Sequence, residues 1–317
     1  MLLNAFIPIL LGIIVIWISA ERLERYSVST ALNFGLSPFL IGSTVIAFGT
    51  SAPEMLTTFF AALEAKGTMI IGNVIGSNIA NLSLVFGATL LVISIKKLTF
   101  IQEKLVLKNL MVLLISTGLV WLVISIDPFS IFSSLILLLS LLGVIFFWYT
   151  SGKNYSDAFS QETHENYLLL KLVLSLIFLV LAAWLITFGA MNLLTEFNLG
   201  EMFIGYTVLA IGTSLPEIAA STSLALKGRY ETVAGTLIGS NIFNGLCVLA
   251  IPGLFNSEVI SNSWNYKTWE PLLALLLIIT LMFCGYIYTM TKKNKKVNLF
   301  VSLVFLSAYF LALGFAY

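Results

Sequence analysis

Long apolar stretches alternate with short polar segments along almost the whole chain of 317 residues. A helix that crosses a membrane needs about twenty mostly apolar residues. Ten stretches meet this requirement, near residues 3–28, 37–62, 68–95, 104–126, 128–150, 166–193, 201–225, 231–255, 270–290 and 297–316. None shows the ten-residue alternation that is typical of a spanning β-barrel strand. The pattern therefore predicts an all-α membrane protein with ten transmembrane helices.

The composition agrees with this interpretation. Hydrophobic residues make up 59% of the chain and charged residues only 10%, so too few polar side chains remain to cover the helices of a water-soluble protein. This excludes cytosolic enzymes and secreted disulfide scaffolds. The net charge of +1 gives no basic surface for nucleic acid. The expected partner is the lipid bilayer, and no obligatory protein partner is indicated. Glu21 and Arg22 directly follow the first twenty, mostly apolar residues, where a signal peptide would have small residues before its cleavage site, so we expect a spanning helix there.

The basic residues predict the orientation. With ten spans, all but two of the 16 Lys and Arg residues fall on one side of the membrane, the exceptions being Lys66 and Lys267. Such an excess marks the cytoplasmic side. We therefore expect a multi-pass protein of the cell (inner) membrane, with both termini outside and the polar loop 151–165 in the cytoplasm. This loop also divides the chain into an N-terminal five-helix repeat (1–150) and a C-terminal five-helix repeat (166–317).

An internal repeat supports the division into two halves. GSTVIAFGTSAPE at residues 42–54 matches GYTVLAIGTSLPE at 205–217 in nine of thirteen positions, and GNVIGSNIAN at 72–81 matches GTLIGSNIFN at 235–244 in seven of ten. Both matches have an offset of 163 residues. Because five spans, an odd number, separate equivalent helices, the second half must cross the membrane in the opposite sense. Inverted repeats of this kind are common in secondary transporters, whose site lies near the membrane midplane.

Two glutamates suggest what such a site would bind. Thirteen of the fifteen carboxylates map to loops or helix ends, whereas Glu54 and Glu217 lie deep in apolar spans. An ionised side chain there costs at least about 2.5 to 3.5 kcal/mol on insertion scales. No Lys, Arg or His occupies a comparable depth to pair with them. A bound cation is the simplest counter-charge, although two protonated, hydrogen-bonded glutamates would be an alternative.

The neighbouring residues favour a cation site. Pro53 and Pro216 lack an N–H group and clash with the carbonyl four residues earlier, so helices 2 and 7 should be discontinuous just before each glutamate. Freed carbonyls at such breaks are recurrent ion ligands. Hydroxyl and amide oxygens recur near both breaks, at Thr50, Ser51, Ser77 and Asn81 and at Thr213, Ser214, Ser240 and Asn244. An all-oxygen set with two carboxylates suits Ca²⁺, and the same oxygens can hold Na⁺.

The paired GTSAPE and GTSLPE segments, with GSNIAN and GSNIFN, resemble the two α-repeats of the sodium/calcium exchangers in the calcium/cation antiporter superfamily, particularly the short prokaryotic members. This resemblance covers nearly the whole chain. It implies ten helices, numbered here by the ten predicted spans. The site would lie at the centre, formed by helices 2, 3, 7 and 8, and helices 1 and 6 would slide across that core. The transported ions would be Ca²⁺ and Na⁺, with no cofactor and no enzymatic activity.

The resemblance also implies roles for individual residues. The ion ligands would be the carboxylates of Glu54 and Glu217, the side chains of Thr50, Thr213, Ser77 and Ser240, and the backbone carbonyls of Ala47 and Ala210. Ser51 and Ser214 would support them, and Asn81 and Asn244 would occupy the polar positions in the middle of the site. Some members, including potassium-dependent exchangers, have Asp at the position of Asn244, which argues against a K⁺ requirement.

The same residues are also compatible with other functions. Glutamates within a membrane can carry protons, so exchange of a cation for H⁺, or of another divalent cation, is an alternative. Acidic residues also line cation channels, but two inverted halves around one site suit alternating access better than an open pore. We therefore expect an antiporter that exchanges Na⁺ for Ca²⁺ by alternating access and extrudes Ca²⁺.

Overall fold

The computed structural model describes residues 2–33, 36–63, 65–96, 104–151, 166–194, 210–255, 266–292 and 299–315. Their secondary structure is helical, without a strand in these ranges. Counting a helix that contains a π-helical turn as one, the helices are α1 Leu2–Asn33, α2 Pro38–Thr50, α3 Ala52–Leu63, α4 Gly67–Ile95, α5 Lys104–Ile126, α6 Ile131–Ser151, α7 Leu168–Leu194, α8 Ala210–Thr213, α9 Leu215–Leu226, α10 Tyr230–Leu254, α11 Glu270–Lys292 and α12 Leu299–Phe315. The predicted all-α class is confirmed.

These helices follow the predicted spans to within a few residues. Five of them contain a segment long and apolar enough to cross a membrane, namely Gly67–Ile95, Val106–Ile126, Ile131–Ser151, Tyr230–Leu254 and Glu270–Thr289. The bent pair of α2 and α3 would add a sixth span. Residues 201–209 of the predicted seventh span and residues 152–165 of the linker lie outside the described residues. The count of ten therefore stays a prediction.

Two long helices form the centre of the bundle. In their most apolar 18-residue windows, 83% of α10 and 67% of α4 is buried, against 28% of α6. The short helices α2, α3, α8 and α9 pack against α4 and α10, and α11 and α12 also pack against α4. Large apolar side chains such as Trp17 and Phe132 point outward and are 75% and 71% exposed. A bilayer would cover such side chains, which water does not favour.

The contact between α2 and α10 depends on glycine. A Cβ on Gly42 would lie 2.5 Å from the Thr232 carbonyl oxygen, and one on Gly235 would lie 2.5 Å from that of Phe39. A Cβ on Gly239 would meet the Ser43 carbonyl oxygen at the same distance. Small residues of this kind allow the backbones of membrane helices to approach closely. A side chain at any of these three positions would therefore force the two helices apart.

The helices α1 and α7 pack against each other on the outside of this core. Lys171, near the start of α7, lies over the ring of Tyr26, near the end of α1, at 5.7 Å from its centroid. The two helices therefore run antiparallel. They contact the core through the short helices, α1 against α2 and α9, and α7 against α2 and α8.

Candidate cation-binding site

The two proline-containing segments break their helices in the same way. The backbone leaves helical geometry at Ser51, with φ −81° and ψ 2°, and at Ser214, with φ −82° and ψ 0°. Across the first break, α2 and α3 meet at an angle of 40°. Pro53 and Pro216 each lie in the first turn of the helix that follows, where a missing N–H group is tolerated. The predicted discontinuities therefore occur in both halves, directly before the glutamates.

Each break places a glutamate in the first turn of a helix. Glu54 lies at the start of α3 and Glu217 at the start of α9, and both side chains are 0% exposed. The positive end of the helix dipole favours a carboxylate at this position. Neither oxygen of either carboxylate has a hydrogen-bond partner among the described residues. Burying an ionised carboxylate without a partner costs a large amount of free energy. A cation bound between the two helix breaks would therefore stabilise both groups.

Hydroxyl groups from both halves surround each carboxylate. The Glu54 carboxylate lies near the hydroxyls of Ser77 and Thr213, and it is close enough to Glu217 for the two charges to interact. None of these hydroxyls completes a hydrogen bond of ordinary geometry with it. The Glu217 carboxylate lies in the same way near Thr50 and Ser240, with Ser51 beside it.

The hydroxyls also pair across the two halves. Thr50 Oγ1 lies 3.4 Å from Ser240 Oγ, and Ser77 Oγ lies 3.3 Å from Thr213 Oγ1. The offset of 163 residues relates Thr50 to Thr213 and Ser77 to Ser240, so each pair is the repeat equivalent of the other. A reciprocal pattern of this kind is what two-fold symmetry produces.

Two asparagines complete the polar centre. Asn81 and Asn244 are both 0% exposed, and the side-chain oxygen and nitrogen of each have no hydrogen-bond partner among the described residues. Each begins a π-helical turn, Asn81–Val85 in α4 and Asn244–Val248 in α10. Such turns are rare and often occur at functional sites.

The remaining predicted residues lie at the helix breaks. The Ala47 carbonyl, one turn before the first break, accepts the Ser51 N–H at 3.0 Å and the Thr50 hydroxyl at 3.3 Å. Ala210 begins α8, the short helix before the second break. Ser51 and Ser214 are buried, and their hydroxyls have no partner among the described residues. Their roles, like those of the other candidate ligands, stay predictions.

Some features of the centre could not be read from the sequence. A third π-helical turn, Gly42–Ile46, lies within α2. Asn73 Nδ2 donates to Thr58 Oγ1 at 3.3 Å and ties α4 to α3. In the second half the equivalent positions are Thr236, which bonds to the Thr232 carbonyl of its own helix at 3.0 Å, and Ser221, whose hydroxyl has no partner among the described residues. In the sequence this difference appears only as two substitutions between the repeats, Asn73 against Thr236 and Thr58 against Ser221.

The donor set determines the kind of ion that fits. Every candidate ligand atom is a carboxylate, hydroxyl, amide or carbonyl oxygen, and the described ranges contain no cluster of three or more His, Cys, Asp or Glu side chains. Zinc and copper prefer nitrogen and sulfur, whereas oxygen ligands suit Ca²⁺ and other hard cations. A helical membrane protein with a buried pair of carboxylates at two helix breaks has the design of a cation transporter.

Comparison with known proteins identifies the family. A family model described as sodium/calcium exchanger protein matches residues 4–150 and 167–317. The chain belongs to this family, and it is a transmembrane cation antiporter rather than a member of an enzyme class. The resemblance noted in the sequence is confirmed.

Individual relatives agree with this assignment. The chain is 25% identical to the sodium/calcium exchanger MaX1 of Methanosarcina acetivorans, over 86% of this chain and 89% of that protein. It is 27% identical to the inner membrane protein YrbG of Escherichia coli, over 86% and 87% of the two chains. Among solved structures, the sodium-calcium exchanger NCX_Mj soaked with Na⁺ and Sr²⁺ has a TM-score of 0.80 and 30% identity, with 99% of both chains covered.

Proposed function

We propose that this chain exchanges Na⁺ for Ca²⁺ across the cell membrane by alternating access, and that the inward movement of Na⁺ drives the extrusion of Ca²⁺. The ions would bind between Glu54 and Glu217. The observation that carries this proposal is the burial of both carboxylates, one from each half, without a hydrogen-bond partner among the described residues. The two charges together would balance one Ca²⁺.

The surrounding oxygens would replace the water that the ion loses. Ca²⁺ takes six to eight oxygen ligands in flexible geometry. The candidates are the two carboxylates, the side chains of Thr50, Thr213, Ser77 and Ser240, and the carbonyls of Ala47 and Ala210, with Ser51, Ser214, Asn81 and Asn244 beside them. Na⁺ would bind to the same oxygens with a smaller charge. Competition for one set of ligands then makes the binding of one ion depend on the release of the other, which is the basis of exchange.

The topology that we propose consists of two inverted repeats, 1–150 and 166–317, joined by the cytoplasmic linker 151–165, with ten spans and both termini outside. The reciprocal contacts of Thr50 with Ser240 and of Ser77 with Thr213 support it, because inverted halves are related by a two-fold axis in the membrane plane. The packing of α1 and α7 against each other outside the core supports their sliding as one unit to open the site on alternate sides.

The proposal is tested by ⁴⁵Ca²⁺ flux into proteoliposomes that contain the purified protein. We expect uptake when Na⁺ is inside and absent outside, and no uptake when the Na⁺ gradient is removed. Glu54→Gln and Glu217→Gln should each abolish uptake, because each removes half of the negative charge that balances Ca²⁺. Glu270→Gln is a matched control, since Glu270 is exposed at the start of α11.

Each alternative predicts a different result. Uptake driven by a pH gradient without Na⁺ would indicate a cation/proton exchanger, and single-channel currents would indicate a channel. Full activity of either Glu54→Gln or Glu217→Gln would contradict the shared site. Size-exclusion chromatography of each variant, with a single peak at the position of the unmodified protein, is the control for folding.

A further inference from the structure

A groove between α1 and α7 is separate from the central site. It has a volume of about 350 Å³, and its lining comes from these two helices alone. Arg22, Tyr26 and Lys171 line it together with apolar residues, of which Val15 and Phe178 lie furthest along each helix from the basic side chains.

The charges in the groove have one sign. Arg22 and Lys171 are both cationic, and no carboxylate is among the lining residues. Arg22 is exposed and Lys171 half-buried, with the Lys171 ammonium over the Tyr26 ring. Two basic side chains that line the same groove can together bind an anion. Basic pockets between transmembrane helices are the kind of site that holds an anionic lipid head group.

The apolar part of the groove extends away from this basic end. Because α1 and α7 are antiparallel, Arg22 and Lys171 lie at the same end, while Val15 and Phe178 lie toward the other. From Tyr26 to Val15 the lining extends over twelve residues of α1, or about 16 Å along the helix axis. A small anion would fill only the basic end. A molecule with a phosphate head and a hydrocarbon chain would match the whole length.

We propose that this groove binds an anionic phospholipid, with its phosphate between Arg22 and Lys171 and the start of one acyl chain against Val15 and Phe178. The inference does not depend on the transport reaction, because no residue of the groove belongs to the cation site. It assigns a lipid of defined head-group charge to a defined place on the helix pair.

Native mass spectrometry of the full-length protein in detergent tests the proposal, with phosphatidylglycerol and phosphatidylcholine of the same acyl chains added in equal amounts. We expect a preference for phosphatidylglycerol. At the usual contribution of one basic residue near a lipid surface, Arg22→Gln or Lys171→Gln should each lower this preference about fivefold, and the double variant about thirtyfold. Lys108→Gln, which removes an exposed charge at the start of α5, should leave it unchanged.

Two further measurements distinguish binding of a whole lipid from loss of side-chain charge alone and from binding of free phosphate. Arg22→Lys and Lys171→Arg keep the charge and should keep the preference. An excess of inorganic phosphate should not displace the lipid, because it cannot use the apolar part of the groove. Equal binding of the two lipids by the unmodified protein would overturn the proposal even if the glutamine variants do not fold. Complete displacement by inorganic phosphate, or an unchanged preference in the double variant, would overturn it as well.

Discussion

The close approach of α2 and α10 makes Gly239 a sensitive position. The Cβ of Gly239→Ala would lie 2.5 Å from the Ser43 carbonyl oxygen and 2.7 Å from the Ala47 Cβ, whereas ordinary contact begins at 3.4 Å. The oxygen belongs to the backbone, so no side-chain rotation relieves the overlap and the helices must separate by several tenths of an ångström. Overpacking of this kind costs about 1 to 3 kcal/mol. The displacement would also move Ala47, whose carbonyl is a proposed ion ligand.

We therefore expect Gly239→Ala to unfold at a lower temperature than the unmodified protein in detergent, and to need more Ca²⁺ for half-maximal ⁴⁵Ca²⁺ uptake in proteoliposomes. Gly118→Ala is the matched control. A Cβ at Gly118 in α5 would meet nothing within 4 Å, so both measurements should stay unchanged or the stability should rise slightly, as alanine favours a helix. If Gly239→Ala matched Gly118→Ala in both assays, the glycine contact would not set the helix separation.

Three further predictions concern two buried hydrogen bonds and the dependence of uptake on K⁺. The Trp148 indole N–H donates to Asn109 Oδ1 at 2.6 Å in a buried position, so Asn109→Leu should lower the free energy of unfolding by about 1 to 3 kcal/mol, measured by chemical denaturation. Thr58→Val removes the acceptor for Asn73 and should cost about 0.5 to 1.5 kcal/mol in the same assay. Because Asn244 is uncharged, replacing K⁺ by choline should not change Na⁺-driven ⁴⁵Ca²⁺ uptake, and a strict need for K⁺ would contradict this.

The sequence alone predicted much of the fold, because the bilayer imposes a strong pattern on spanning helices. The helix breaks at Ser51 and Ser214 could also be predicted, since proline removes a backbone donor whatever the tertiary context. The internal repeat identified the polar residues of the centre. Thr, Ser, Glu and Asn recur at the same offset of 163 residues, whereas the apolar residues between them resemble those of any spanning helix.

Other features depend on distances that a linear pattern does not contain. The pairing of Thr50 with Ser240 and of Ser77 with Thr213 requires the two halves to be docked. The π-helical turn that begins at Asn81 could not be foreseen, because one extra residue in a turn leaves the apolar pattern almost unchanged. The groove between α1 and α7 depends likewise on which faces of two distant helices meet.

The hydrogen bond from Asn73 to Thr58 makes the two halves of the molecule unequal, and this has a consequence for the proposed transport cycle. Two inverted halves with identical contacts would give the outward-open and inward-open forms of the proposed cycle the same energy. Here the Asn73–Thr58 hydrogen bond joins α3 and α4 in the first half. In the second half the equivalent helices, α9 and α10, have Ser221 and Thr236 at these positions, and the two side chains do not bond to each other. Under the alternating access that we propose, we expect this inequality to give the ion-free protein a preferred orientation, which two chemically identical halves would not have.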